Sequence, residues 1–137
     1  MLIHAVLDSN VIISGLLFGG IPSRIMNLAM TGKFICYTSP DILDEIRGVL
    51  SRPKFNLSTD EVTYLTTELE NLFVITFPKV KIRAVKKDPD DDMILECAIE
   101  SNADLIVSGD SHLLELGQWQ GINIKNPVDA MTLFEKL

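Results

Sequence analysis

The chain has 137 residues, of which 47% are hydrophobic, and it carries a net charge of −7. This length and this share of apolar residues fit one core, so we predict a single domain over residues 1–137. The negative net charge argues against a protein that coats nucleic acid by bulk electrostatics. No apolar run approaches the ~20 residues that a membrane-spanning helix requires.

The N-terminal stretch "MLIHAVLDSN" lacks the basic start of a signal peptide and reads as a first strand. We therefore expect a cytoplasmic protein that is not bound to a membrane. Cys36 and Cys97 lie in apolar runs without the CxxC spacing of metal or redox motifs. This placement predicts two buried free thiols in a reducing cytoplasm.

Short apolar runs alternate with helical patterns along the rest of the chain. Strands are predicted at residues 2–7, 34–38, 72–76, 104–108 and 121–125. Helix start signals occur at Pro22, at Ser39 and Pro40, at Ser58 and Glu61, and at Asn126 and Pro127. The stretch "LGQWQG" (116–121) is predicted to be a loop in which Trp119 packs. The alternation predicts an α/β fold with three layers, α/β/α, around a mainly parallel sheet of about five strands.

Acidic residues follow the predicted strands, where a parallel sheet binds its ligands. The first strand ends at Asp8, the second leads into a helix that carries Glu45, and the fourth ends in "SGD", at Asp110. Each acid alone has an ordinary explanation. Asp8 and Asp110 can cap the helices that follow them, and Glu45, which borders an apolar stripe, can be a half-exposed surface residue. Their arrival at one sheet edge from separate segments favours a functional site.

The segment "DPDDDMILECAIESN" (88–102) predicts a helix with Asp88 as N-cap and Pro89 in the first position. Its buried stripe is predicted to consist of Ile94, Leu95 and Ala98. Asp91 precedes these residues by three, four and seven positions and so faces the protein. Asp90 and Asp92 are rotated by ~100° to either side. Asp91 is therefore the predicted inward acid, and the helix N-terminus explains the other carboxylates.

Four carboxylates in one place do not all stay ionised unless a cation neutralises them, and otherwise some of them protonate. Oxygen ligands without His or Cys suit a hard ion, so we expect Mg²⁺ or Mn²⁺, as one or two ions. Such a site is typical of metal-assisted hydrolysis of phosphodiester bonds.

Two further features have open or ordinary interpretations. His112, two residues after Asp110, is predicted to be a surface residue of a short helix. The basic run "KVKIRAVKK" (79–87) is either a solvated edge strand or a basic rim beside the acidic site. Its charge alone does not decide between the two.

The segments "VLDSNVIISGLL", "SPDILDEIRGVLSR", "DPDDDMILECAIESNADLIVSGD" and "HLLEL" together resemble the PIN-domain family. They are most similar to its branch of toxins from prokaryotic toxin–antitoxin systems, the relatives of VapC-type ribonucleases. The resemblance implies a three-layer α/β/α fold and cleavage of RNA that depends on Mg²⁺ or Mn²⁺. It also implies a homodimer and a small antitoxin protein that blocks the site.

Matched position by position, the resemblance places the metal-binding and catalytic acids of the family on Asp8, Glu45, Asp91 and Asp110. The run of aspartates leaves Asp92 as the alternative third acid. Polar groups that orient the ligands fall on Asn10 and Ser108. No residue stands out as a general base supplied by the protein.

A non-catalytic module is the alternative interpretation, in which the acidic pocket holds a structural ion or a basic side chain of a partner protein. Turnover that depends on metal distinguishes the two. A phosphatase or nucleotide hydrolase has less support, because the chain has no P-loop glycine motif. In addition, "LDSN" has Asn10 where a nucleophile pair after the first strand would need its second Asp.

Overall fold

A mainly parallel sheet forms the middle layer of the protein in its computed structural model, which describes residues 2–82 and 89–137. The strands are β1 (His4–Leu7), β2 (Ile35–Thr38), β3 (Val74–Ile75), β4 (Leu105–Val107), β5 (Gln118–Trp119) and β6 (Ile122–Lys125). Within the described chain they form one six-stranded sheet in the order β3-β2-β1-β4-β6-β5. Only the β5–β6 pair of this sheet is antiparallel, and the other neighbouring pairs are parallel.

Helices connect the strands and cover the sheet. They are α1 (Ser9–Leu17), α2 (Gly20–Met30), α3 (Pro40–Leu50), α4 (Thr59–Leu72), α5 (Pro89–Glu100), α6 (Ser111–Leu116) and α7 (Pro127–Glu135), with a short 3-10 turn at Pro53–Phe55. This arrangement confirms the predicted α/β class, with three layers around a mainly parallel sheet. The sixth strand, β5, was not predicted.

Local capping signals set most helix starts where the sequence places them. The Ser39 hydroxyl accepts a hydrogen bond from the Ile42 backbone N–H at the start of α3. At α4, Ser58 and Glu61 form a complete capping box, which satisfies two backbone donors that the helix itself leaves without partners. At α7, the Asn126 side chain accepts a hydrogen bond from the Asp129 backbone N–H.

Some predicted boundaries differ from the structure, and others lie outside the described residues. The predicted strand at 72–76 is reduced to β3, because the last turn of α4 takes Leu72. Helix α5 begins at Pro89 as predicted. Its predicted N-cap Asp88, and residues 83–87 of the basic run, lie outside the described residues.

The pairing of β1 with β4 determines where the acidic edge of the sheet lies. Leu7 pairs with Val107 in a parallel register, and both side chains are fully buried. The next residues along the two strands, Asp8 and Ser108, therefore lie side by side at the carboxyl edge of the sheet. Helix α5 packs against β1, β2 and β4 and reaches α3, which brings its aspartates to the same edge.

Cys36 and Cys97 are buried and free, which confirms the prediction of two buried thiols. Burial raises the pKa of the Cys97 thiol to about 11 and raises the pKa of the Cys36 thiol further still. Among the described residues, no single helix is long and apolar enough to cross a bilayer. Helices α1 and α2 reach that length and apolarity only as a pair, with a bend of 97° between them.

Candidate functional site

Asp8 lies where β1 ends and α1 begins, and its carboxylate does not act as a helix cap. The residue occupies the N-cap position of α1 but makes no side-chain capping hydrogen bond. Instead, its Oδ2 accepts a hydrogen bond of 2.6 Å from the hydroxyl of Ser108, which is fully buried. Only 5% of Asp8 is exposed. The ordinary explanation of Asp8 as a helix cap therefore does not apply, and the carboxylate is held at the sheet edge.

Asp110 is tied to the same serine from the other side. Its backbone N–H donates to the Ser108 hydroxyl at 3.0 Å, so that one hydroxyl bridges the two acidic residues. Asp110 also caps α6, because its Oδ1 accepts from the backbone N–H groups of His112 and Leu113. A carboxylate has two oxygens that accept several bonds. Capping by Asp110 is thus compatible with a second role as a ligand.

Asp91 approaches Asp110 from helix α5. It is 4% exposed, and its Oδ2 lies 4.0 Å from the Nδ1 of His112. The same nitrogen lies 3.6 Å from Oδ1 of Asp110. Asp91, Asp110 and His112 each offer a possible ligand atom, and the three atoms all lie within 4.8 Å of one another. The structure thus brings together two of the acids predicted from distant parts of the sequence.

Asp92 is also buried, with 7% of its surface exposed, although the helical pattern places it to one side of the buried stripe. The geometric group with Asp110 and His112 contains Asp91 rather than Asp92. Glu96, a third buried acid on α5, accepts a 2.8 Å hydrogen bond from the Ile82 backbone N–H. Glu96 therefore holds the described start of the basic run against α5 and has a structural role.

Glu45 is half-buried on α3 and is connected to the start of α1 through a serine. The hydroxyl of Ser9 donates a 2.7 Å hydrogen bond to Oε2 of Glu45, and Ser9 itself is buried. Asn10, which the family resemblance selects as an orienting group, is exposed in the structure. The position beside Asp8, at the first residue of α1, was the sequence signal that could have identified Ser9.

His112 is the site residue whose environment differs most from its prediction. Its side chain is 36% exposed, but its Nδ1 is buried and has no hydrogen-bond partner among the described residues. The expectation of an ordinary surface histidine is therefore wrong for this atom, which faces two carboxylates. The contact with Asp91 joins α6 to α5, and a local sequence pattern does not reveal it.

The donors at this edge of the sheet fit a divalent metal ion. Carboxylate oxygens are preferred ligands of Mg²⁺ and Mn²⁺, and imidazole nitrogen binds transition metals. Asp8, Asp91 and Asp110 come from three separate parts of the chain, and the buried Ser108 fixes Asp8 and Asp110 relative to each other. Neighbouring carboxylates repel one another unless a positive charge lies between or beside them. Chemically, the arrangement is able to bind a cation and present it to an anionic ligand.

Comparison with known proteins identifies the family. The family model described as PIN domain matches residues 4–112. The chain is also 35% identical over 118 residues to the uncharacterized protein MJ1680 of Methanocaldococcus jannaschii, covering 83% of this chain and 75% of that protein. The match over most of the chain, together with the sheet and the acidic edge, shows that the chain belongs to the PIN-domain family, whose members are generally metal-dependent nucleases.

Proposed function

We propose that the protein is an endoribonuclease that hydrolyses phosphodiester bonds of RNA with Mg²⁺ or Mn²⁺. The observation that carries the proposal is the meeting of Asp91 and Asp110 at the carboxyl edge of the sheet, with Asp8 joined to Asp110 through Ser108. RNA, rather than another phosphodiester, follows from the resemblance to VapC-type ribonucleases.

Asp8, Asp91 and Asp110 would be the principal ligands of one or two ions, and Glu45 would complete the site. Asp92 is the less favoured alternative to Asp91, because the group within 4.8 Å contains Asp91. When bound, a divalent ion stabilises the negative charge that develops on the phosphate oxygens and lowers the pKa of the water that it binds.

The serines of the chain orient these acids. Ser108 donates to Asp8 and accepts from the backbone of Asp110, so it fixes the separation of β1 and the start of α6 at the site. Ser9 fixes the rotamer of Glu45. Ligands held by hydrogen bonds lose less conformational entropy when an ion binds, and such partners typically contribute 10–100-fold to metal affinity or activity.

The wider biological role rests on the family resemblance. In this proposal the protein is a cytoplasmic toxin of a toxin–antitoxin pair and acts as a homodimer. A small antitoxin would block the acidic site, and a basic side chain of that partner fits the negative charge of the site. In the alternative, the same pocket holds an ion or a partner without turnover.

The test uses purified protein and a mixed pool of structured and single-stranded RNA, with Mn²⁺, Mg²⁺ or EDTA. The expected result is cleavage that requires metal and is lost in Asp8→Asn, a variant that keeps an oxygen acceptor for the Ser108 hydroxyl. The matched control is Asp60→Asn, which removes an exposed acid from the first turn of α4.

The outcomes separate the two interpretations. Asp60→Asn should cleave like the wild type, since its carboxylate lies on a different surface helix. A folded wild-type protein that binds Mn²⁺ but cleaves no RNA in the pool would favour the non-catalytic module. Cleavage that persists in EDTA or in Asp8→Asn would contradict the assignment of the site.

A further inference from the structure

His112 lies beside the acidic site but is not one of its proposed oxygen ligands. Its Nδ1 lies 3.6 Å from Oδ1 of Asp110 and 4.0 Å from Oδ2 of Asp91. Both separations are too long for a hydrogen bond. The nitrogen is nevertheless buried, and none of the described residues gives it a hydrogen-bond partner.

Buried polar nitrogens almost always have a partner, and one that lacks it indicates an ion or water at the position. The separations fit an ion. Two atoms that each lie ~2.1 Å from the same ion are at most ~4.2 Å apart. Both distances from Nδ1 are within this limit, so the imidazole is able to share an ion with either carboxylate. The three ligand atoms lie within 4.8 Å of one another, so adjustment of the carboxylate rotamers brings all three groups to one ion.

The chain holds His112 in this place through its own backbone. The N–H of His112 donates a 2.8 Å hydrogen bond to Oδ1 of Asp110, so the acid that binds the ion also caps the helix that carries the histidine. The start of α6 is thereby fixed with respect to the site.

We propose that His112 Nδ1 is a metal ligand, so that the site binds its ion with one nitrogen beside the carboxylate oxygens. This inference rests on the proposed metal site and adds its ion preference. Imidazole binds transition-metal ions better than Mg²⁺, which prefers oxygen ligands and retains its waters. The site therefore discriminates in favour of Mn²⁺ and other transition-metal ions over Mg²⁺, in contrast to the all-oxygen site predicted from the sequence.

The composition of the chain makes a direct spectroscopic test possible, since it contains two histidines. The second, His4, lies four residues before Asp8 in β1, or ~13 Å away along an extended strand. Its Nδ1 is 2.7 Å from the Tyr37 hydroxyl. An imidazole signal from an ion at the acidic edge therefore belongs to His112, and His4→Gln is the matched control.

The experiment is pulsed electron paramagnetic resonance of Mn²⁺ bound to the full chain. We expect the nuclear modulation of a directly coordinated nitrogen in the wild type and in His4→Gln. In His112→Asn this modulation should be lost. Labelling the wild-type protein with ¹⁵N-histidine should change the modulation frequencies. Because this experiment needs no substitution, it tests the role of histidine even if His112→Asn fails to fold.

Ion selectivity gives a second readout that is independent of RNA cleavage. Asparagine supplies an oxygen in place of the nitrogen, so His112→Asn should weaken Mn²⁺ binding by ~10-fold or more and change Mg²⁺ binding much less. The dissociation constant of Mn²⁺ divided by that of Mg²⁺ should therefore rise by about the same factor. Competition of Mg²⁺ against bound Mn²⁺ measures this ratio.

The inference and the proposed function fail in different ways. One outcome overturns the role of His112 alone. In it, Mn²⁺ binding requires Asp8, the spectrum has no modulation from a histidine nitrogen, and His112→Asn leaves the ratio of the Mn²⁺ and Mg²⁺ dissociation constants unchanged. A wild-type protein that binds no Mn²⁺ overturns both. If the bound ion is coordinated by nitrogen but the protein cleaves no RNA, the role of His112 is supported and only the ribonuclease proposal is contradicted.

Discussion

Replacing Ser108 with alanine tests whether one buried hydroxyl organises the acidic edge. The side chain is fully buried and makes two hydrogen bonds, of 2.6 Å to Asp8 Oδ2 and of 3.0 Å from the Asp110 backbone N–H. A hydrogen bond to a charged group contributes about 1.5–3 kcal/mol, and one to a backbone group contributes about 1 kcal/mol. We therefore expect Ser108→Ala to lower the free energy of unfolding by about 2.5–4 kcal/mol.

The effect of Ser108→Ala on metal binding should be larger than that of an ordinary destabilising change. Asp8 and Asp110 both lose the hydroxyl that fixes them relative to each other. Loss of a group that orients metal ligands reduces metal affinity by about 10–100-fold. Urea unfolding and Mn²⁺ titration of the folded variant measure the two effects separately. The matched control is Ser101→Ala, which removes a hydroxyl that donates to the Cys97 and Ala98 carbonyls of α5.

Ser101→Ala should lower stability by about 1 kcal/mol and leave Mn²⁺ affinity unchanged. The reasoning would be refuted if Ser108→Ala unfolded within about 0.5 kcal/mol of the wild type and bound Mn²⁺ with wild-type affinity. The bridge between Asp8 and Asp110 would then be a packing feature without influence on the ligands.

Three further predictions concern other buried polar groups. Ser9→Ala removes the 2.7 Å hydrogen bond to Glu45 and should reduce metal-dependent RNA cleavage by about 10-fold. Cleavage is measured at saturating RNA, and an unchanged far-ultraviolet circular dichroism spectrum verifies that the variant is folded. Turnover at the wild-type rate would contradict the orienting role of Ser9. Thr38→Val should raise the free energy of unfolding by about 1 kcal/mol, because Thr38 Oγ1 is buried and lacks a hydrogen-bond partner within the described chain; a loss of stability in urea would show that the hydroxyl has one. The thiols of Cys36 and Cys97 should not react with a disulfide reagent at pH 8 until urea unfolds the protein, because burial raises the pKa of both, that of Cys97 to about 11 from 9.0. The pKa of each thiol is higher in the folded protein than in the unfolded chain, so the folded state holds these protons more tightly. The stability that this difference contributes is complete below about pH 9 and is lost as the pH rises toward 11.

The parts of the fold that the sequence predicts well are those that depend on local patterns. Strands β1 and β4 are covered on both faces, so their residues are nearly all apolar and easily recognised. Helix starts depend on caps within three residues of each other, as in the box from Ser58 to Glu61. These features need no knowledge of distant contacts.

Strand β5 escaped prediction because its pairing, rather than its composition, makes it a strand. It has two residues and joins β6 through Gln120 and Gly121, which both have positive φ, of 49° and 84°. Two central residues with positive φ are typical of the tight hairpin turns that match the twist of a sheet. The glycine was a turn signal, but glutamine rarely occupies the first position, and two residues show no alternation.

The candidate site could be predicted in part. Helical periodicity correctly orients Asp91 toward the protein, and the parallel topology correctly brings Asp8 and Asp110 to neighbouring positions. The periodicity underestimates burial at Asp92 and Glu96, because α5 packs against the sheet and also against α3, which covers more than one stripe. The position of His112 depends on contact between two helices that are distant in sequence, and no local pattern encodes it.

Cleavage of RNA by a pair of adjacent variants, Asp91→Asn and Asp92→Asn, tests the central claim most directly. Both remove a buried carboxylate from the same turn of α5, and only Asp91 belongs to the group with Asp110 and His112. We expect metal-dependent cleavage by the wild type, a loss of at least about 100-fold in Asp91→Asn, where a ligand of the catalytic ion is removed, and a smaller loss in Asp92→Asn. Absence of metal-dependent cleavage by the wild type, or cleavage by Asp91→Asn at the wild-type rate, would contradict the account.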